Sequence, residues 1–183
     1  MRVLALDLSK RSAGWAMWAV GEERPASGAW ELGSEYTSRP ETFVRLHQRM
    51  SEQTAFGLPD AVFYEEPIQA VQLQGHTNIE TLKLVAGLAA HAESWAEAMG
   101  CRIIRGVNLA TWRRHFLGKM PRATKTAELK GYAVERCRQL GLRPRVHDEA
   151  EALGILDYAC ETLSILPPWR ANEVLRPPLG AVA

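Results

Sequence analysis

The sequence predicts an α/β protein built on a mixed sheet: three antiparallel leading strands, then parallel strands, with helices on both faces. Three observations carry this reading. The opening of the chain holds β-rich runs separated by turns rich in Ser and Gly, the pattern of hairpins. From Glu41 onward, short apolar runs alternate with longer segments of helical periodicity, the pattern of strands joined by crossover helices. The chain has 183 residues, 46% hydrophobic and 23% charged, enough for one domain with a substantial core.

The elements follow in order. Arg2 to Leu8 alternates and is β-rich, so it reads as the first strand. Gly14 to Val20 reads as the second, and the intervening SKRSAG has turn chemistry. Gly28 to Leu32 is a candidate third strand. Glu41 to Gln53 carries Phe43, Leu46 and Met50 near helical spacing. Asp60 to Tyr64 is a short apolar run that reads as a buried strand and is stopped by Pro67. Asn78 to Met99 is a long helix with a broad apolar face, ended by Gly100. That face suits either a central core helix or a dimer interface. Arg102 to Val107 is another strand. Leu109 to Leu117 is a short amphipathic helix, with Trp112 and Phe116 opposite Arg113 and Arg114. Thr124 reads as the N-cap of a helix from Lys125 to Leu140, closed by Gly141. Asp148 to Leu166 is the last helix, and the Pro-rich remainder is expected on the surface or without fixed structure.

Composition excludes several classes. No apolar run approaches the ~20 residues that span a bilayer, and MRVLALDLS meets an aspartate too early for a signal peptide, so a cytoplasmic location is expected. Cys101, Cys137 and Cys160 are far apart with no CxxC, which predicts buried free thiols rather than disulfides or a zinc site. The net charge is only +1. Its distribution says more: between Arg102 and Arg145 a dense set of Arg and Lys faces only Glu128 and Glu135, a footprint that suits a polyanion.

Four carboxylates stand out against apolar surroundings. Asp7 lies in the first strand between Leu6 and Leu8, where an uncompensated charge costs several kcal/mol. Glu65 and Glu66 end the fourth strand, and strand alternation lets only one of them face the sheet centre with Asp7. Asp148 and Glu151 are three apart and share one helix face. Glu149, rotated by about 100°, is expected in solvent, and Asp157 in a surface or capping role. A multi-carboxylate, all-oxygen site favours hard cations, Mg²⁺ or Mn²⁺. Two such ions roughly 4 Å apart suit phosphodiester hydrolysis.

These stretches resemble those of a known family. DLSKRSAG (Asp7 to Gly14) is similar to the opening motif of RuvC-type Holliday junction resolvases. VFYEEP (Val62 to Pro67) resembles their second acidic strand, notably in phage-borne relatives, where a glutamate stands two before a proline; that register selects Glu65. DEAEALGI (Asp148 to Ile155) resembles their final helix. The three motifs occur in the same order and spacing over residues 2 to 163.

The resemblance implies a ribonuclease H-like nuclease domain over residues 1–166, a Pro-rich C-terminal tail over 167–183, and a homodimer. It implies a metal-dependent, structure-selective endodeoxyribonuclease that cuts branched DNA such as Holliday junctions. Asp7, Glu65, Asp148 and Glu151 would hold two Mg²⁺ or Mn²⁺ ions, and no organic cofactor or membrane is involved. The last ligand is more usually aspartate, so Glu151 departs from the pattern by one methylene. His147 is expected behind the ligands rather than among them. Lys125 is placed to reach a scissile phosphate, and Arg113, Arg114, Lys119 and Arg122 to grip phosphate backbone. The polar segment Gln69 to Asn78 would form a loop beside the site. The alternatives are a nuclease of the same fold acting on structured RNA and a non-catalytic junction-binding protein.

Overall fold

The protein, seen in a computed structural model, is described over residues 1–67, 79–121 and 124–171. Five strands form one sheet: β1 (Arg2–Asp7), β2 (Ala13–Ala19), β3 (Ala26–Trp30), β4 (Ala61–Glu65) and β5 (Ile103–Val107). Their order is β3-β2-β1-β4-β5, with β1–β2 and β2–β3 antiparallel and β1–β4 and β4–β5 parallel. Five helices cover the sheet: α1 (Arg39–Gln53), α2 (Ile79–Ala98), α3 (Leu109–Leu117), α4 (Thr126–Gln139) and α5 (His147–Thr162). The mixed α/β architecture read from the sequence is therefore the observed one.

Alternation along the strands sorts the core into two layers. Val3, Ala5, Ala16, Trp18, Ala61 and Phe63 face α3, α4 and α5. Leu4, Leu6, Met17, Val62 and Tyr64 face α1 and α2. Trp112 and Phe116 are core residues, as their spacing predicts, and the three cysteines are buried and free. No described helix is long and apolar enough to cross a membrane.

Several boundaries differ from the sequence reading. α1 starts earlier, at Arg39. Ser38 Oγ accepts the Glu41 N–H at 3.3 Å, and Pro40 falls in the first turn, where no N–H donor is required. The N-cap of α4 is Lys125, not Thr124. The Thr124 hydroxyl is already used on the Pro121 carbonyl, and Glu128 accepts the Lys125 N–H instead. α5 ends at Thr162 rather than Leu166, because Ser164 turns left-handed (φ 56°) and the Ile165 N–H folds back to the Cys160 carbonyl.

The segment after α5 begins in the core, where a position on the surface or without fixed structure was expected. Pro168–Arg170 forms a 3₁₀ turn, with Trp169 and Arg170 both buried. Trp169 packs edge-on against Trp18. Residues 172–183 of the expected tail, and the expected loop from Gln69 to Asn78, lie outside the described residues.

Two close approaches set the position of α5. At Gly14 an added Cβ would lie 1.9 Å from the Asp148 carbonyl oxygen, so only glycine lets the first turn of α5 rest on β2. At Gly154 an added Cβ would meet the Trp112 and Phe116 rings, so α3 seats against α5 there.

Candidate active site

Gly14 pairs with Asp7 across the β1–β2 ladder. The contact that seats α5 on Gly14 therefore also brings Asp148 beside Asp7. On the other side of β1, the parallel register with β4 runs to Leu6 opposite Tyr64, which sets Asp7 next to Glu65. Both acids share the face of Val3, Ala5, Ala61 and Phe63, toward α5. Glu66 is exposed and packs its Cγ on Gly106. Glu65 is thus the one of the pair that turns inward, and Trp112 Nε1 donates to its Oε2 at 3.0 Å.

The first turn of α5 completes the cluster. Asp7, Asp148 and Glu151 each offer an oxygen within 4.8 Å of the others. Burial pushes the Asp7 carboxyl well above its usual range, and the neighbouring charges of Glu65, Glu151 and Asp148 push it further, with Lys130 opposing. Burial also raises Glu65, against the Trp112 hydrogen bond. Asp148 goes the other way. Its burial is outweighed by hydrogen bonds from Lys130 and Ser12, which hold it below the usual carboxylate range.

Lys130 is the residue that sequence reasoning missed. Its Nζ lies 2.7 Å from Asp148 Oδ1 and 3.1 Å from Glu151 Oε2. Burial works against its charge, but the bonds and charges of these two acids raise its pKa. A signal was present: Lys130 stands three before Ala133 and seven before Cys137, on the buried stripe of α4. A lysine on the core face of a helix needs a buried partner.

The other basic residues separate. Arg113 is drawn into the cluster, where it pairs with Glu151 Oε1, its guanidinium 5.3 Å from the Trp112 ring. It therefore faces acids, where an outward grip on phosphate was expected. Arg114, Lys119 and Lys125 are exposed. Arg122 lies outside the described residues. Arg136, counted in the basic segment, is fully buried and donates to the Phe116 carbonyl at 3.1 Å. His147 is exposed at the start of α5.

Two acids expected at the surface are buried. Glu149 is 3% exposed and accepts from Ser27 Oγ at 2.8 Å and the Arg145 N–H at 2.7 Å. Its rotation away from Asp148 points it at β3, because α5 lies across the antiparallel half of the sheet. Asp157 is 2% exposed. It accepts from Trp169 Nε1 and Arg170 Nε, both at 2.8 Å, and is paired with Arg170 and His115.

No family model matches the chain, and no curated protein matches it. Solved structures do. A Thermus thermophilus RuvC in complex with a Holliday junction substrate is 21% identical, with a TM-score of 0.66 over 90% of this chain and 96% of that one. The fowlpox virus Holliday junction resolvase is 10% identical, with a TM-score of 0.53 over 89% of this chain and 99% of that one. The yeast mitochondrial Holliday junction resolvase is 12% identical, with a TM-score of 0.52 over 84% of this chain and 76% of that one. At these identities the likeness shows the fold alone, the mixed α/β arrangement expected from the sequence.

Proposed function

We propose that this chain is a divalent-metal-dependent endonuclease that cuts branched DNA such as a four-way junction. The observation that carries the proposal is the convergence of Asp7, Asp148 and Glu151 oxygens within 4.8 Å, with Glu65 on the adjacent strand. The fold in which they converge is one whose solved examples include a resolvase bound to a Holliday junction. The donor set fits a hard cation: all ligand atoms are carboxylate oxygens. Asp7 is opposed by burial and then by the neighbouring acids, a conflict of the kind that a bound cation relieves. Mg²⁺ or Mn²⁺, when bound, supplies Lewis-acid charge for phosphodiester hydrolysis.

The chain's own groups do the rest. The β1 and β4 carboxylates stand at the ends of paired strands, and Trp112 fixes the orientation of Glu65. The Lys130 ammonium stands among the acids, where it offsets charge on an incoming phosphate. Arg114, Lys119 and Lys125 are exposed and make no ion pair among the described residues, which leaves them available to phosphate backbone. A homodimer completes the proposal. Val44 on α1 and Ile79 on α2 are more than half exposed, which suits a second copy, and two symmetric sites suit paired nicks.

The direct test is cleavage of a synthetic four-way junction beside a matched linear duplex, with and without Mg²⁺. Metal-dependent cutting confined to the junction is the expected result. Equal cutting of both substrates removes the structure-selective reading.

Gly14→Ala tests how the site is assembled. The added methyl meets the Asp148 carbonyl, so the first turn of α5 must move, at a cost of about 1–3 kcal/mol for overpacking. Junction cleavage is expected to fall more than tenfold even where urea denaturation shows the variant still folded. A folded variant with wild-type cleavage would show that this contact does not set the site.

A further inference from the structure

Two cations already stand among the four acids. Lys130 Nζ bridges Asp148 Oδ1 and Glu151 Oε2 at 2.7 and 3.1 Å. Arg113 holds Glu151 Oε1, its side chain only 13% exposed. Its Nε is buried without a hydrogen-bond partner among the described residues, so Glu151 is the anion that compensates this guanidinium. Glu151, one methylene longer than aspartate, spans from Arg113 to Lys130. Asp7 and Glu65 carry no ion pair among the described residues.

A small divalent cation such as Mg²⁺ sits about 2.0–2.1 Å from each oxygen ligand. An ion shared by the same Asp148 and Glu151 oxygens would crowd the Lys130 nitrogen. At that separation in a partly buried site, the repulsion between the two cations is severe. The ammonium and such an ion therefore exclude each other. The charge count agrees. Four carboxylates against one lysine and one arginine leave two negative charges, which one divalent ion balances.

We propose that the site takes a single divalent ion, with Asp7 as its central ligand. The Lys130 ammonium is the resident cation where a second ion would otherwise bridge Asp148 and Glu151. The inference rests on the metal-dependent reading above and departs from the pair of ions that the sequence leads one to expect. In it Lys130 is a positioning residue that sets how many ions the acids hold, while Arg113 keeps Glu151 turned toward Lys130.

The test counts ions rather than turnover. Mn²⁺ is titrated into the full-length protein without DNA, with bound ions counted by calorimetry and free Mn²⁺ by its paramagnetic resonance. One ion per wild-type chain is expected, and two in Lys130→Met, which removes the charge and keeps the length. Lys130→Gln repeats the measurement with a polar side chain, and a cooperative thermal melt establishes that each variant is folded. Two ions on the wild type overturn the inference and leave the nuclease reading standing. One ion on both the wild type and a folded Lys130 variant also overturns it. No Mn²⁺ on the wild type sinks the metal-dependent reading itself. If neither variant folds, the wild-type count alone decides.

Discussion

Asp7→Asn is expected to lower junction cleavage by a hundredfold or more while leaving junction binding within a few fold of wild type. The carboxylate is the central member of the cluster: it neighbours Glu65 on β4 and lies within reach of Asp148 and Glu151. Changes behind a metal's ligands already cost about 10–100-fold, so loss of a proposed ligand should cost more. Asparagine keeps the shape and removes the charge, so β1 and the exposed basic residues remain in place for DNA. The same variant should be more stable without metal. Burial first, and then the charges of Glu65, Glu151 and Asp148, oppose ionisation of Asp7, and a neutral side chain there relieves both. A gain near 1 kcal/mol would raise the melting temperature by about 2–4 °C in a chain of this size. Added Mn²⁺ should then stabilise the wild type and have little effect on the variant. Wild-type cleavage by Asp7→Asn would remove Asp7 from the site.

Asp157→Asn is expected to carry the largest loss of stability, about 3–5 kcal/mol, because it removes the buried carboxylate that Arg170, His115 and Trp169 all bind. That is a large share of the 5–15 kcal/mol that holds a typical domain. Burial alone would raise the Asp157 pKa, but the hydrogen bonds and charges of Arg170 and His115 hold it below the usual carboxylate range. The pH dependence follows from the sign. A depressed carboxylate contributes its full stability above the unfolded-state value of about 3.9 and loses it as pH falls through the lower folded value. Urea denaturation at neutral pH should therefore separate wild type from variant widely, and the gap should narrow below about pH 4. An apolar pair, Asp157→Leu with Arg170→Met, should recover part of the loss, since burying neither charge avoids both desolvation costs. A single variant as stable as wild type at neutral pH would show that the pair does not hold the C-terminal turn in place.

The fold was readable because its signals are local. β-rich runs, turn residues and helical stripes mark each element, and the errors are at ends. The end of α5 at Thr162 is not legible, because nothing in SILPP announces that Ser164 turns left-handed. The candidate acids were readable for a similar reason. Asp7 within an apolar strand and Asp148 with Glu151 on one helical turn are anomalies visible in a few residues of sequence. Glu65 and Glu66 could not be told apart by alternation alone, since that needs the direction in which β4 faces. The helical angle turns Glu149 away from Asp148, but the face it turns to meets Ser27 and the Arg145 N–H rather than solvent.

By itself, then, the sequence determined the order of strands and helices and singled out four carboxylates whose charge conflicts with their surroundings. Both follow from short-range physics: propensity, periodicity and the cost of a charge in apolar chain. Only the tertiary structure decided what neutralises those charges. Lys130 on α4 and Arg113 on α3 reach the acids of α5 because three helices pack on one face of the sheet. Arg170 reaches Asp157 because the chain after α5 folds back into the core. Such pairings join residues 13 to 38 positions apart. Charge pairing acts through space and leaves no periodic trace along the chain.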